Sequence, residues 1–285
     1  MCKDNSVSNI VVFATYWNEI EWIEPSLEQL CTINPKRAII CDGCFDPKYH
    51  NGSTDGTREV IDRFCANNPR FIRIEAIRKS KIQHIWDWLK FRNYHVGPMG
   101  RIKAKLRGIK QLLTTNIYRI NQMATFQHML TNFSKICSGE WFMTYDCDQF
   151  YSDEIISIFR QIGEFGDYDI LTCKEYTFFD AFDRYTDQYE KRDYNNMPHK
   201  FCHGMRFIPT RHPAVIHNDK YTTFSDVTDQ KKYVGLVYHY HIKSSERKEA
   251  GYRLGDRKAP NPQRTVTQHF TGIHPSTIMR YFNID

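Results

Sequence analysis

The chain has 285 residues, 41% of them apolar and 25% charged, and a net charge of +6. It is long enough for a buried core without staples, and this balance excludes a disordered chain or a small disulfide scaffold. No run of about 18 apolar residues offers a membrane span, and "MCKDNSVSN" is too polar for a signal peptide, so a soluble, cytoplasmic protein is expected.

The nine cysteines are scattered and odd in number, which suits a reducing compartment better than a disulfide framework. Cys41 and Cys44 form a lone CxxC without a second ligand pair and read as packing thiols rather than a zinc site.

In chain order, "NIVVFATYWNE" is a continuous apolar run ending in polar residues, the pattern of a buried parallel strand. "EWIEPSLEQLCTI" follows with Trp22, Ile23, Leu27 and Leu30 at helical spacing. "RAIICDG" is a second buried strand, and "STDGTREVIDRFCANN" a helix capped by Ser53 or Thr54 with Val60, Ile61 and Phe64 on one face. "FIRIEAI" alternates as a third strand. This order implies a Rossmann-like parallel sheet with right-handed crossovers.

Residues 78–118 interrupt the pattern as a basic insertion. Residues 78–119 hold eleven Lys or Arg and one acid, a net +10, which leaves −4 on the rest of the chain. Ile102, Leu106, Ile109 and Leu113 share one helical face, expected to dock on the body, while Lys103, Arg107 and Lys110 form a cationic ridge on another. The α/β pattern resumes with a helix around "QMATFQHMLTNFSKICS", the strand "EWFMTYDCD", a helix "SDEIISIFRQI" capped by Ser152, and the strand "YDILTCKEYTFF". Beyond residue 180 come short strands such as "GMRFIP" and "KYVGLVYHYHI", then from 244 a charged extension packing back on the body.

"TYDCDQFYSDE" places Asp146 and Asp148 one residue apart at a strand end. In an extended chain such side chains share a face, and a divalent cation removes the repulsion between two close carboxylates. In open α/β sheets the ligand crevice lies beyond the carboxyl ends of the strands. The competing reading is a solvated acidic turn.

"ATYWNEIEWIEPSLEQL", "IICDG", "GSTDGT", "RINQM" and "GEWFMTYDCDQFYSDE", in this order, resemble the nucleotide-sugar-binding core of GT-A glycosyltransferases, especially family 2. The resemblance covers residues 8–160. It implies a GT-A catalytic domain over 1–243, with 161–243 as the acceptor-side part and 244–285 as the extension. It also implies a nucleotide-sugar donor, expected to be UDP-linked, contacted by Thr15, Tyr16, Asn18, Glu19, Asp42 and Arg119. Asp146 would serve both donor and metal, with Mn²⁺ or Mg²⁺ on Asp146 and Asp148. The late "HYH" matches His239 to the histidine that many relatives place on the metal or diphosphate, with His241 as its i+2 neighbour; Lys243, Arg247 and Lys248 would approach phosphates. Two departures stand out: "CFDPKYHN" is inserted between Gly43 and Gly52, and the basic stretch precedes the Arg119–Asn121 pair.

Inversion, carried over from the resemblance, needs a carboxylate near the acceptor hydroxyl. The candidates are Asp180 and Asp183, with Glu175 as a third. The basic insertion interleaves cations with Trp86, Trp88, Phe91 and Tyr94, which suits double-stranded DNA. A sugar transferase acting on a hydroxymethylated DNA base, of the kind bacteriophages encode, would combine both features and work in the host cytoplasm. A glycan or lipid-linked saccharide acceptor fits the same charges as a membrane-surface patch. A nucleotidyltransferase and a non-catalytic nucleic-acid-binding protein are the competing classes. The sequence does not fix the oligomeric state.

Overall fold

In a computed structural model, the structure describes residues 7–90, 98–179, 181–186, 197–208, 213–217, 220–242 and 268–284. The first half contains β1 (Ser8–Tyr16), α1 (Ile23–Ile33), β2 (Pro35–Asp42), α2 (Thr57–Ala66), β3 (Phe71–Glu75), α3 (Lys81–Lys90), α4 (Pro98–Thr114) and α5 (Ile117–His128). Next come β4 (Trp141–Asp146), β5 (Gln149–Tyr151), α6 (Asp153–Arg160), β6 (Ile170–Phe179), β7 (Arg184–Thr186) and β8 (His199–Lys200). The remainder holds β9 (Arg206–Phe207), β10 (Pro213–His217), β11 (Lys220–Thr223), β12 (Lys231–His241), β13 (Gln268–His269) and α7 (Ser276–Phe282).

The chain is a mixed α/β protein built on a large, curled sheet whose long ladders are parallel, flanked by helices. β3, β2, β1 and β4 lie side by side and parallel, with Thr15 opposite both Cys41 and Asp146 and Tyr16 opposite Asp42. β12 runs parallel to β6 along its whole length. The short β8 pairs antiparallel with both β4 and β6, so all six long strands point the same way. Their carboxyl ends therefore gather on one edge. β5 pairs antiparallel with β12, β7 with β6, and β13 with β7, while β9 to β11 form a separate small sheet.

β1 explains why the sheet is covered on both sides. Ile10, Val12, Ala14 and Tyr16 pack with Leu27 and Leu30 of α1 and Ile155 and Phe159 of α6. The alternate residues Val11 and Phe13 pack with Met123 and Phe126 of α5. A strand buried on both faces has to be apolar throughout, which is what the run shows. Trp22 closes one end: it is 2% exposed, stacks on Tyr240 and lies 4.7 Å from Phe282, while its indole N–H donates to the Ile242 carbonyl. Trp22→Ala would cost about 3–5 kcal/mol through the cavity left behind. Through the same contact α7 packs back against α1.

Four expectations need correction. β12 is a single eleven-residue strand, not a short one, because it pairs with β6 along its whole length. α2 begins at Thr57 after Gly56 rather than at Ser53 or Thr54, since the Ser53 hydroxyl is drawn to the buried Asp42 carboxylate. On α4, Ile102, Leu106 and Leu113 are exposed, and the helix instead meets its neighbour through Gly108 and Leu112. Cys31 is disulfide-bonded, although Cys41, Cys44, Cys65, Cys137, Cys147, Cys173 and Cys202 are free. No helix among the described residues is long and apolar enough to cross a membrane.

Candidate metal centre and cleft

Side chains reach the common edge from three strands and one turn. β4 ends at Asp146, Cys147 and Asp148 turn, and β5 begins at Gln149. Cys147 is buried in the core and Asp148 is 5% exposed. The turn is fixed by the Tyr240 N–H, which donates to the Asp148 carbonyl at 2.8 Å. Asp148 is thereby carried to the end of β12, where His239 and His241 alternate onto one face.

Asp148, His239 and His241 each offer one ligand atom, and these atoms all lie within 4.8 Å of one another. His239 Nε2 is 3.3 Å from Asp148 Oδ1. On its other side His239 Nδ1 donates to Glu175 Oε1 at 2.7 Å, and Thr177 Oγ1 donates to the same oxygen at 2.8 Å. Burial disfavours a charged imidazole here, but the Asp148 and Glu175 carboxylates outweigh burial and hold its pKa up at about 10. The His241 ring stacks on Phe179, nearly parallel, with centroids 5.3 Å apart. A carboxylate oxygen and two imidazole nitrogens this close, with a carboxylate behind one imidazole, fit the ligand set of a divalent cation.

Asp146 does not join this cluster. Its Oδ2 accepts from Gln149 Nε2 at 3.3 Å, and β4 stops at Asp146, so Asp148 belongs to the turn that follows. Glu175, read as a third proton acceptor, instead orients His239. The pairing of β6 with β12 makes this possible by setting Thr177 opposite His239. That neighbour relation joins residues 62 positions apart, so only period-two alternation within each strand was visible beforehand.

At the same edge a small cleft opens beyond β1 and β2, walled by Thr15, Trp17, Glu19, Gly43, Phe45 and Tyr118. Gly43 lets the 44–51 insertion fold over it, since a Cβ there would meet Ala76 and Asn51 at 2.9 Å. Buried Asn121 pins this wall. Its Nδ2 donates to the Phe45 carbonyl, and its Oδ1 accepts from the Lys79 N–H and from His84 Nε2 at 2.7 Å. Burial pushes the His84 pKa down, so the N–H donated is that of a neutral ring.

The other expected donor residues have defined partners. Tyr16 borders the cleft, but its hydroxyl meets Ser26 Oγ at 3.0 Å inside the core. Asn18, with φ of 50°, accepts from the Thr54 N–H, and the Glu19 N–H donates to Thr57 Oγ1. Asp42 is fully buried: Ser53 donates to it from both N–H and hydroxyl, and Arg58 Nε donates at 2.6 Å. Its carboxylate is thus engaged by the loop rather than presented to the cleft. Arg119 sits half-buried in the first turn of α5, one residue after Tyr118.

Asp183 is exposed beyond β6, its carboxylate 3.9 Å from His269 Nδ1. Asp180, Lys243, Arg247 and Lys248 lie outside the described residues. Lys103, Arg107 and Lys110 are exposed on α4. No protein-family model matches the chain, and no curated protein matches it in sequence.

Proposed function

We propose that the chain is a metal-dependent glycosyltransferase of GT-A architecture, moving a sugar from a nucleotide donor to an acceptor hydroxyl. The observation that carries this reading is the Asp148–His239–His241 cluster on the sheet edge that also bears an aromatic-walled cleft. A nucleoside fits the class of ligand such concave, ring-lined sites accept. The donor set contains nitrogen, which favours Mn²⁺ over the oxygen-demanding Mg²⁺. When bound, the cation supplies positive charge to a departing diphosphate.

The chain's own residues do the rest. Glu175 and Thr177 hold the His239 ring in place, and Thr15, Trp17 and Phe45 shape the nucleoside end. The acceptor proton passes to a carboxylate drawn from Asp180 and Asp183, which follow β6. A non-catalytic nucleic-acid-binding protein leaves the Asp–His–His cluster without a role.

The test is incubation with a panel of nucleotide sugars and Mn²⁺, reading nucleoside diphosphate release with and without chelator. Nucleoside triphosphates in parallel arms separate a nucleotidyltransferase, which would release pyrophosphate. Chelator-resistant release, or none from any sugar donor, overturns the reading.

A further inference from the structure

The hairpin of α3 and α4 carries an arrangement that neither the cleft nor the metal centre uses. Its helices run antiparallel: Lys81 Nζ donates to the Leu113 carbonyl, Trp88 Nε1 to the Lys105 carbonyl, and Lys105 Nζ to the Leu89 carbonyl. Both helices nevertheless leave large apolar side chains in water. Ile82, Trp86, Ile102, Leu106 and Leu113 are between 56% and 68% exposed, and they are half of the exposed large hydrophobics among the described residues.

Positions around α4 separate three jobs. At about 100° per residue, Gly108 and Leu112 lie together on the buried side, where Gly108 faces Trp88 of α3, whereas Ile102, Leu106 and Leu113 occupy an arc roughly 40° wide on another side. Lys103, Arg107 and Lys110 fill the next arc, centred roughly 90° further round. An aliphatic stripe bordered by a cationic stripe on a surface helix suits the interface of an anionic bilayer. There the aliphatic groups enter the acyl boundary, the Lys and Arg heads stay with lipid phosphates, and a Trp such as Trp86 sits at the polar edge. A nucleic-acid duplex would use the cations but would leave Ile102, Leu106 and Leu113 facing water. The rest of the chain, at −4, would be repelled by the same surface, which fixes the orientation.

We propose that the α3–α4 hairpin docks the protein on an anionic membrane surface. Arg78, at the hairpin's entry, donates to the carbonyls of Asp46 and Tyr49 in the 44–51 insertion, and Tyr118, just after its exit, walls the cleft. Docking therefore brings the cleft to the bilayer, whatever the cleft turns over.

The test is co-sedimentation of the full chain with phosphatidylserine–phosphatidylcholine vesicles, against pure phosphatidylcholine vesicles and a duplex DNA oligonucleotide. The chain is expected to sediment with the anionic vesicles and not with the neutral ones. The double variant Lys103→Glu/Arg107→Glu should lose at least about 25-fold in partitioning, from roughly fivefold per cation removed. Leu106→Ser/Leu113→Ser should lose binding while keeping its cations. These side chains are exposed, so circular dichroism of the variants should match the parent. Absence of vesicle binding, retention of full binding by the serine variant, or binding to the duplex alone would each overturn the proposal.

Discussion

Glu175 Oε1 accepts a hydrogen bond from His239 Nδ1 at 2.7 Å, which leaves Nε2 as the nitrogen turned toward Asp148. A carboxylate behind an imidazole fixes its tautomer and ring orientation and raises its basicity as a ligand. Residues of β6 and β12 thus hold the His239 ring in place.

Glu175→Ala is therefore expected to weaken Mn²⁺ binding by about 10- to 100-fold without disturbing the fold. Glu175→Gln keeps an acceptor for the His239 N–H and should lose less. Isothermal titration of the three proteins with Mn²⁺ checks the order; equal affinities would remove Glu175 from the site.

Asp148 and Asp146 are expected to behave differently even though one residue separates them. Asp148→Ala takes away a ligand of the cluster and should abolish both stoichiometric Mn²⁺ binding and metal-dependent diphosphate release. Asp146→Ala removes the partner of Gln149 and leaves the three ligand residues, so Mn²⁺ affinity should fall by less than about tenfold, below the usual effect of losing a supporting partner. Electron paramagnetic resonance titration with Mn²⁺ separates the two, and identical losses would mean that both aspartates hold the ion.

That contrast also shows what the sequence could reveal. β1, β2 and β4 were legible because strands buried on both faces must be apolar runs, β3 because it alternates, and Ser152 announced α6, where its hydroxyl accepts from the Ile155 N–H. His241 was legible as a same-face neighbour of His239 because β12 stays extended. Asp146 stays outside the Asp148–His239–His241 group, and nothing in "TYDCDQF" says that the strand ends before Cys147. For α4 the periodicity was real, but it reports a stripe and not what covers it. Gly108 and Leu112 took the docking face because a glycine admits a tryptophan ring.

Asp42 is expected to act on stability. Its buried carboxylate accepts from Ser53 twice and from Arg58, whose guanidinium also reaches Glu75. The hydrogen bond that Arg58 donates to Asp42 is the main reason the Arg58 pKa is raised. Asp42→Ala should cost about 2–3 kcal/mol, because charge-assisted bonds are lost and the Ser53 donors are left in a dry site. Arg58 is partly exposed and recovers some solvation, which keeps the figure from being larger. Urea unfolding measures the change, and a loss below about 0.5 kcal/mol, the size of an ordinary surface substitution, would show the loop to be held by other contacts.

Gly108 offers the last test, because it separates the hairpin from the body. A Cβ at this position would fall 2.2 Å from the Trp88 ring, so Gly108→Ala must move the indole and break its hydrogen bond to the Lys105 carbonyl. Overpacking of this kind costs about 1–3 kcal/mol. The cost should fall on the seam and on the small sheet, whose Tyr221 ring lies 5.9 Å from Trp88, since Trp88 is not a member of either core cluster around the main sheet. Hydrogen exchange is therefore expected to speed up along α3 and α4 while β1 and β4 stay protected, the signature of a locally opening unit. Equal acceleration in the sheet would mean that the hairpin is part of the global fold, whereas unchanged exchange in α4 would mean that the ring finds another seat at no cost.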